Sequence, residues 1–312
     1  MKDLARSLDG PLGVEAAVVD GTLVPGDVTV AGGRVSGVGV TPAEGAFGIA
    51  VPGFIDAHIN GFAGVDFLGA GPEDYARVAG PLAATGVTAY QPTFVTSAPE
   101  VLTRAISVLA APAPQGPRIL GVHLEGPFIS PQWIGAHDPA FVLAPDQALA
   151  ERLCEAGPVT MVTLAPERPG ALELIDFLVG QGIAVSCGHS DATAEQAHAA
   201  FDRGARAITH IYNGHRRWQA RDPGLAGAAL VRPEVTVQAI VDDVHLAPET
   251  ATATARAAGE RFSLVTDAIA AAGMPDGVSQ LGHQAVIVRN GEARVANGSL
   301  AGSVLKMDRA LD

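Results

Sequence analysis

The chain has 312 residues, 48% hydrophobic and 17% charged, which suits one large domain or a large and a small one and excludes a disordered chain. Lys and Arg number 20 against 33 Asp and Glu, a formal charge of −13, and no stretch is basic enough to track a phosphate backbone, so nucleic acid is not an expected partner. Two cysteines, Cys154 and Cys187, exclude a disulfide scaffold and CxxC metal spacing, and without a long apolar run or a signal-peptide pattern a soluble, cytoplasmic protein with no membrane partner is expected.

In chain order, residues 14–51 carry Val at alternating positions, punctuated by Asp20-Gly21 and Gly32-Gly33, and predict a small β unit. From residue 51 the pattern changes. Eight short apolar runs follow, at 51–59, 86–94, 118–125, 159–166, 183–189, 207–213, 235–242 and 262–268. Most intervals hold an Ala/Leu-rich stretch with helical spacing, such as 72–84, 99–111, 171–180 and 193–203. Strand alternating with helix argues for a parallel sheet, and eight such units fit a (β/α)8 TIM-like barrel. A doubly wound open sheet is the alternative, but the loop after the first run, PGFIDAHINGFAG, has no Gly-rich phosphate motif. The Asn290-Gly291 pair between two Val-bearing runs predicts a hairpin near 279–297, and a helix is expected to start in SVLKMDRALD. The expected organisation is thus a small β-sandwich domain in 1–50 and a barrel in 51–312.

Polar residues end nearly every run: His58 and Asn60, Glu125, His189, His210 and Asn213, His245 and Asp267. In a (β/α)8 barrel these ends share one face, where the active site is built. Glu125, His189 and His210 supply the two imidazoles and one carboxylate of a catalytic zinc site. Asp267 is placed to act as general base on a metal-activated water, or else to cap a following helix. His58-x-Asn60 reads either as a weakened second metal position or as a pair that hydrogen-bonds in the pocket. His123 could orient Glu125 or be a buried structural residue, and His137 could polarise a carbonyl or be a plain loop residue. Arg221 is the best anion-clamp candidate. Cys187 reads as an inert small hydrophobe.

The motifs PGFIDAHINGFAGVDF, LGVHLEGPFIS, GAHDP, TLAPE, SCGHSDAT, THIYNG, RDPGLAGAAL, VDDVHLAPE and LVTDAIAAAG follow one another along nearly the whole chain. In this the chain resembles the N-acetylglucosamine-6-phosphate deacetylases of the amidohydrolase superfamily. The resemblance implies one divalent metal ion, zinc or another such as Fe2+, at Glu125, His189 and His210, with Asp267 as the acid/base. It places His137 near the acetamide carbonyl and Asn213, Gly214, Arg221 and His245 around a sugar phosphate. It also implies a homodimer and release of acetate from N-acetylglucosamine 6-phosphate. Three departures from the family pattern are visible. His-x-Asn stands at 58–60, GHRRWQA follows Asn213, and the C-terminus is short by some tens of residues, so the last barrel helix and the small β domain are expected to be incomplete. A related amidohydrolase for the galactosamine epimer, another N-acetylated sugar phosphate or a cyclic amide is the alternative, as is an inactive truncated remnant.

Overall fold

The structure, a computed structural model, describes residues 9–111 and 115–311. The chain divides into two compact units, Met1–Gly53 and Phe54–Asp312. In the larger one, Phe54–Ile59 (β1), Val87–Val95 (β2), Val122–Glu125 (β3), Val159–Leu164 (β4), Ala184–Cys187 (β5), Ala207–Ile208 (β6), Thr236–Ala239 (β7) and Phe262–Leu264 (β8) pair in parallel, each with the next. Between successive strands run Pro72–Ala83 (α1), Pro99–Val108 (α2), Gln147–Glu155 (α3), Ala171–Gly180 (α4), Ala194–Asp202 (α5), Gly224–Val231 (α6) and Pro248–Ala258 (α7). This is the expected (β/α)8 arrangement. Helix starts follow local chemistry. Pro stands at the first position of α1, α2 and α7, where its missing N–H costs nothing. At α5 the Thr193 hydroxyl accepts the Gln196 N–H while the Gln196 side chain accepts the Thr193 N–H. The inward faces are apolar: α4 buries Leu174, Ile175 and Leu178, and α5 buries Ala197, Ala200 and Phe201.

The barrel closes just beyond β8. The Asp267 N–H donates to His58 O (2.8 Å), the Asn60 N–H donates to Ala268 O (2.7 Å), and Ile59 bridges Ala268 in parallel. Asp56 holds this seam from within. Its carboxylate accepts the Thr266 hydroxyl (2.5 Å), the Thr266 N–H (3.2 Å) and the His58 N–H (3.3 Å). Burial pushes Asp56 up to about 6, and these three bonds oppose the rise. Asp56→Ala would leave the buried Thr266 and His58 N–H groups unmatched and the Thr266 hydroxyl with only a 3.5 Å contact to His58 O, so a loss of roughly 3 kcal/mol is expected. A urea midpoint equal to that of the parent would show that the seam does not depend on this carboxylate.

Gly277–Leu281, Gln284–Arg289 and Glu292–Val295 form an antiparallel three-stranded sheet. The Asn290-Gly291 turn stands as expected, with both residues at positive φ (53° and 76°), but the strand at Gly277–Leu281 lacked a sequence signal. The helix expected from Ser303 does not form, and residues 307–311 make turns. The seam claims this segment instead. The Ser303 N–H donates to Asp267 O, its hydroxyl donates to Thr266 O (2.6 Å), and the same hydroxyl accepts the Leu305 N–H. Ser303 thus extends the sheet beside Ala268.

Among its described residues the smaller unit holds two three-stranded sheets. One joins Gly10–Pro11, Asp27–Ala31 and Arg34–Val40, and the other joins Thr22–Pro25, Ala16–Val19 and Ile49–Ala50. Asp20-Gly21 and Gly32-Gly33 turn the two hairpins as expected, with all four residues at positive φ.

Candidate active site

Side chains from the ends of β1, β3, β5, β6 and β8 meet at one point. The Glu125 carboxylate lies at its centre, with Oε1 3.0 Å from His189 Nε2 and 2.9 Å from His210 Nε2. Its Oε2 lies 3.3 Å from His58 Nε2 and 3.7 Å from His137 Nε2. Asp267 faces the same cluster, with Oδ1 3.2 Å from His58 Nε2 and 2.5 Å from Asn60 Nδ2, which donates to it. All of these groups are buried.

The outer contacts of the rings set their tautomers. His189 Nδ1 lies 2.7 Å from Trp133 O, a pure acceptor, so Nδ1 carries the proton and neutral His189 turns its Nε2 lone pair toward Glu125. Lone pair against carboxylate is repulsive unless a cation or a further proton sits between them. His137 is the opposite case. Its Nδ1 accepts the Thr96 N–H (3.2 Å), so its Nε2 bears the proton and points inward as a donor. Burial and the neighbouring His189 hold His137 below the usual imidazole range, which favours this neutral form. His210 Nδ1 is buried without a partner. Burial alone would raise Glu125, but the surrounding imidazoles, His58 first, hold it well below the usual carboxylate range. Desolvation would lower His58, yet Glu125 and Asp267 push it up to about 10. The centre therefore calls for positive charge.

The backbone here is strained. His189, His210 and Asp267 have φ of 47°, 30° and 49°, a left-handed region that costs roughly 1–3 kcal/mol for such residues. A Cβ on Gly214 would stand 2.9 Å from His189 Nδ1, so only glycine lets that loop lie against the ring. Beneath the cluster runs a chain of buried hydroxyls. His123 bonds Thr93 and Thr163, Thr163 bonds Thr209, and Thr209 bonds Ser186. His123 meets His58 edge-on at 4.7 Å and makes no hydrogen bond to the Glu125 side chain, so it braces the centre from below. Asp267 caps no helix, because turns follow it.

A cavity of about 380 Å³ opens over the cluster. Glu125, His137, His189, His210, Asp267, Asn60, Asn213, Gly214 and His245 all line it. His245 is fixed by Asp242, its Nδ1 lying 2.8 Å from Oδ2. Arg221 is not brought there. It sits exposed in a two-residue turn closed by reciprocal Gln219 and Asp222 backbone bonds. Trp133, Leu281, Ser299 and Leu300 also line the cavity and were missed. Trp133 stands two residues before GAHDP, and Ser299 and Leu300 open the motif SLAGSVLKMDRAL, but nothing in the sequence turned them inward.

The sequence pattern of the amidohydrolase family matches residues 49–299. The chain belongs to the amidohydrolase family. Within it, the chain is 38% identical over 265 residues to the N-acetylgalactosamine-6-phosphate deacetylase of Escherichia coli O157:H7, covering 83% of this chain and 70% of that one. It is 36% identical over 280 residues to the N-acetylglucosamine-6-phosphate deacetylase of Lysinibacillus sphaericus, covering 88% and 72%. The crystal structure of N-acetyl-D-glucosamine-6-phosphate deacetylase from Mycobacterium smegmatis superposes with a TM-score of 0.89 at 40% identity, covering 95% of this chain and 81% of that one. Amidohydrolases cleave an amide carbon–nitrogen bond with water and typically depend on a divalent metal, and the donor set here fits one. Glu125 Oε1 lies within 3.0 Å of the Nε2 atoms of both His189 and His210, and the ligand atoms of His58, Glu125 and Asp267 lie within 4.8 Å of one another. Among the described residues no helix is long and apolar enough to cross a membrane.

Proposed function

We propose that this amidohydrolase removes the acetyl group of N-acetylglucosamine 6-phosphate, giving glucosamine 6-phosphate and acetate, with one divalent ion, zinc by preference, held by Glu125, His189 and His210. The observation that carries the reading is the His189 ring, held at Nδ1 by Trp133 O so that its Nε2 faces the buried Glu125 carboxylate, with Asp267 facing the same cavity. When bound, the ion would supply Lewis acidity to the amide carbonyl and acidify water. His137, with its proton on Nε2, donates to the oxygen that gains charge as the carbonyl becomes tetrahedral. Asp267 is the proton carrier. His58 holds it below the usual carboxylate range although burial would raise it, so it starts as the base. It takes the proton of the attacking water and returns it to the nitrogen, which must be protonated to leave. Asn60 fixes the orientation of Asp267 through the 2.5 Å bond to Oδ1.

Asn213, Gly214 and His245 form the part of the wall assigned to the sugar phosphate. Arg221 lies outside the cavity lining of its own chain, and an exposed guanidinium serves a phosphate only where a second surface is brought to it. A homodimer in which Arg221 reaches another copy supplies that surface. The two free cysteines, Cys154 and Cys187, suit a reducing, cytoplasmic setting.

The test is acetate release from N-acetylglucosamine 6-phosphate by purified protein, stripped with a chelator and then reloaded with zinc. Release that vanishes on stripping and returns on reloading is the expected result. The 38% identity to an N-acetylgalactosamine-6-phosphate deacetylase makes the galacto epimer the necessary second substrate. No release of acetate from either sugar by folded, zinc-loaded protein would overturn the reading.

A further inference from the structure

We infer that Asp191 is a positioning residue for this site: through Trp133 it fixes both a wall of the cavity and the direction of the His189 lone pair. The inference rests on the metal-dependent reading above. Trp133 lines the cavity, and its indole N–H donates to Asp191 Oδ1 (2.8 Å). The carbonyl of the same residue accepts the His189 Nδ1 proton (2.7 Å). The indole bond and the carbonyl bond thus anchor one residue at both its side chain and its main chain, and an anchored indole limits how far the main chain at Trp133 can turn. Once the indole is released, the main chain at Trp133 is free to turn its carbonyl away from His189, and His189 is then free to carry its proton on Nε2. That tautomer presents a proton where a cation needs a lone pair.

Asp191 is itself held by two other loops. Its N–H donates to Glu167 Oε1 (2.7 Å), while Glu167 Oε2 accepts the Ser190 hydroxyl (2.7 Å). Its Oδ2 lies 3.4 Å from Arg216 Nη1, and Arg216 is anchored on Asp222 through Nε (2.8 Å) and Nη2 (2.7 Å). The Arg216 N–H also donates to Ser190 O (2.8 Å), and the Ser130 N–H donates to His189 O (2.8 Å). Loops after β3, β4 and β6 thus converge on the short segment that carries His189. Arg216 belongs to GHRRWQA, the stretch that departs from the family pattern, which gives that departure a structural use.

The chain has two tryptophans, and Trp218 is 46% exposed and outside the cavity lining, so Trp218→Phe leaves Trp133 as the single emitter. In that background Asp191→Ala is expected to shift the emission of metal-free protein to longer wavelength and to weaken zinc binding about tenfold, the low end for an outer partner of a ligand. Asp191→Asn keeps an acceptor oxygen for the indole and is expected to stay within about threefold of the parent in zinc affinity. Should Asp191→Ala not fold, Trp133→Phe removes the indole donor and is expected to weaken zinc binding to the same degree. Parental zinc affinity in Asp191→Ala or in Trp133→Phe overturns the inference. So does an equal loss in Asp191→Asn, which would route the effect through Arg216 rather than Trp133. Zinc affinity is read without substrate, so a parent that releases no acetate defeats the functional reading and leaves this test standing.

Discussion

Asp267→Asn is expected to lower kcat for acetate release by about 10²–10⁴-fold while the protein stays folded and keeps its metal. The amide has the size of the carboxylate and can still accept the Asn60 N–H through its oxygen, so the geometry at the end of the barrel is retained. It has no proton affinity to offer the attacking water and no proton to return to the amine. The main-chain bonds of residue 267, from its N–H to His58 O and to its own carbonyl from the Ser303 N–H, are untouched by the change. Turnover and zinc content measured on the same sample separate lost chemistry from lost metal. A kcat within tenfold of the parent, with zinc bound, would remove Asp267 from the proton path.

Glu125→Gln is expected to act one stage earlier, weakening zinc binding by more than about 100-fold, beyond the range seen for outer partners of a ligand. The carboxylate is the one anion shared by His58, His137, His189 and His210, and it holds all four around one point. Gln fills the space without the charge, and its amide N–H would offer a proton into a centre that needs lone pairs. Equilibrium competition with a chromogenic chelator reads the loss directly, and activity should fall in proportion to bound zinc. Parental zinc affinity in this variant would move the ion away from Glu125.

The barrel was legible because its signal is carried by short apolar runs, and those runs sit where β1 to β8 are found. The meeting of Glu125, His189, His210, His58 and Asp267 was legible for the same reason, since strand ends in this architecture converge whatever their distance along the chain. What could not be read were contacts settled by tertiary hydrogen bonds. Ser303 lies in a run of helix-compatible residues, but the open seam beside Asp267 and Ala268 captures its backbone, and local propensity loses. Trp133 gives no sequence sign that its indole reaches Asp191 and its carbonyl reaches His189, because both partners lie two helices and two strands further along the chain. Arg221 has the chemistry of an anion clamp, but the two-residue turn at its position is a matter of Gln219 pairing with Asp222.

The spacing of the central side chains also bears on how the proposed ion would be acquired. Glu125 and His210 stand 85 residues apart, and Asn60 and Asp267 stand 207 apart. No peptide emerging during synthesis can gather these donors until β3 through β6, and then the β8–β1 seam, are in place. An ion cannot nucleate such a fold as it does a zinc finger, whose ligands lie within one short loop and helix. For the proposed site, metal capture would then follow assembly rather than drive it. The slow, non-local pairing of strands would come first, and an ion held as proposed would enter a scaffold already built to receive it.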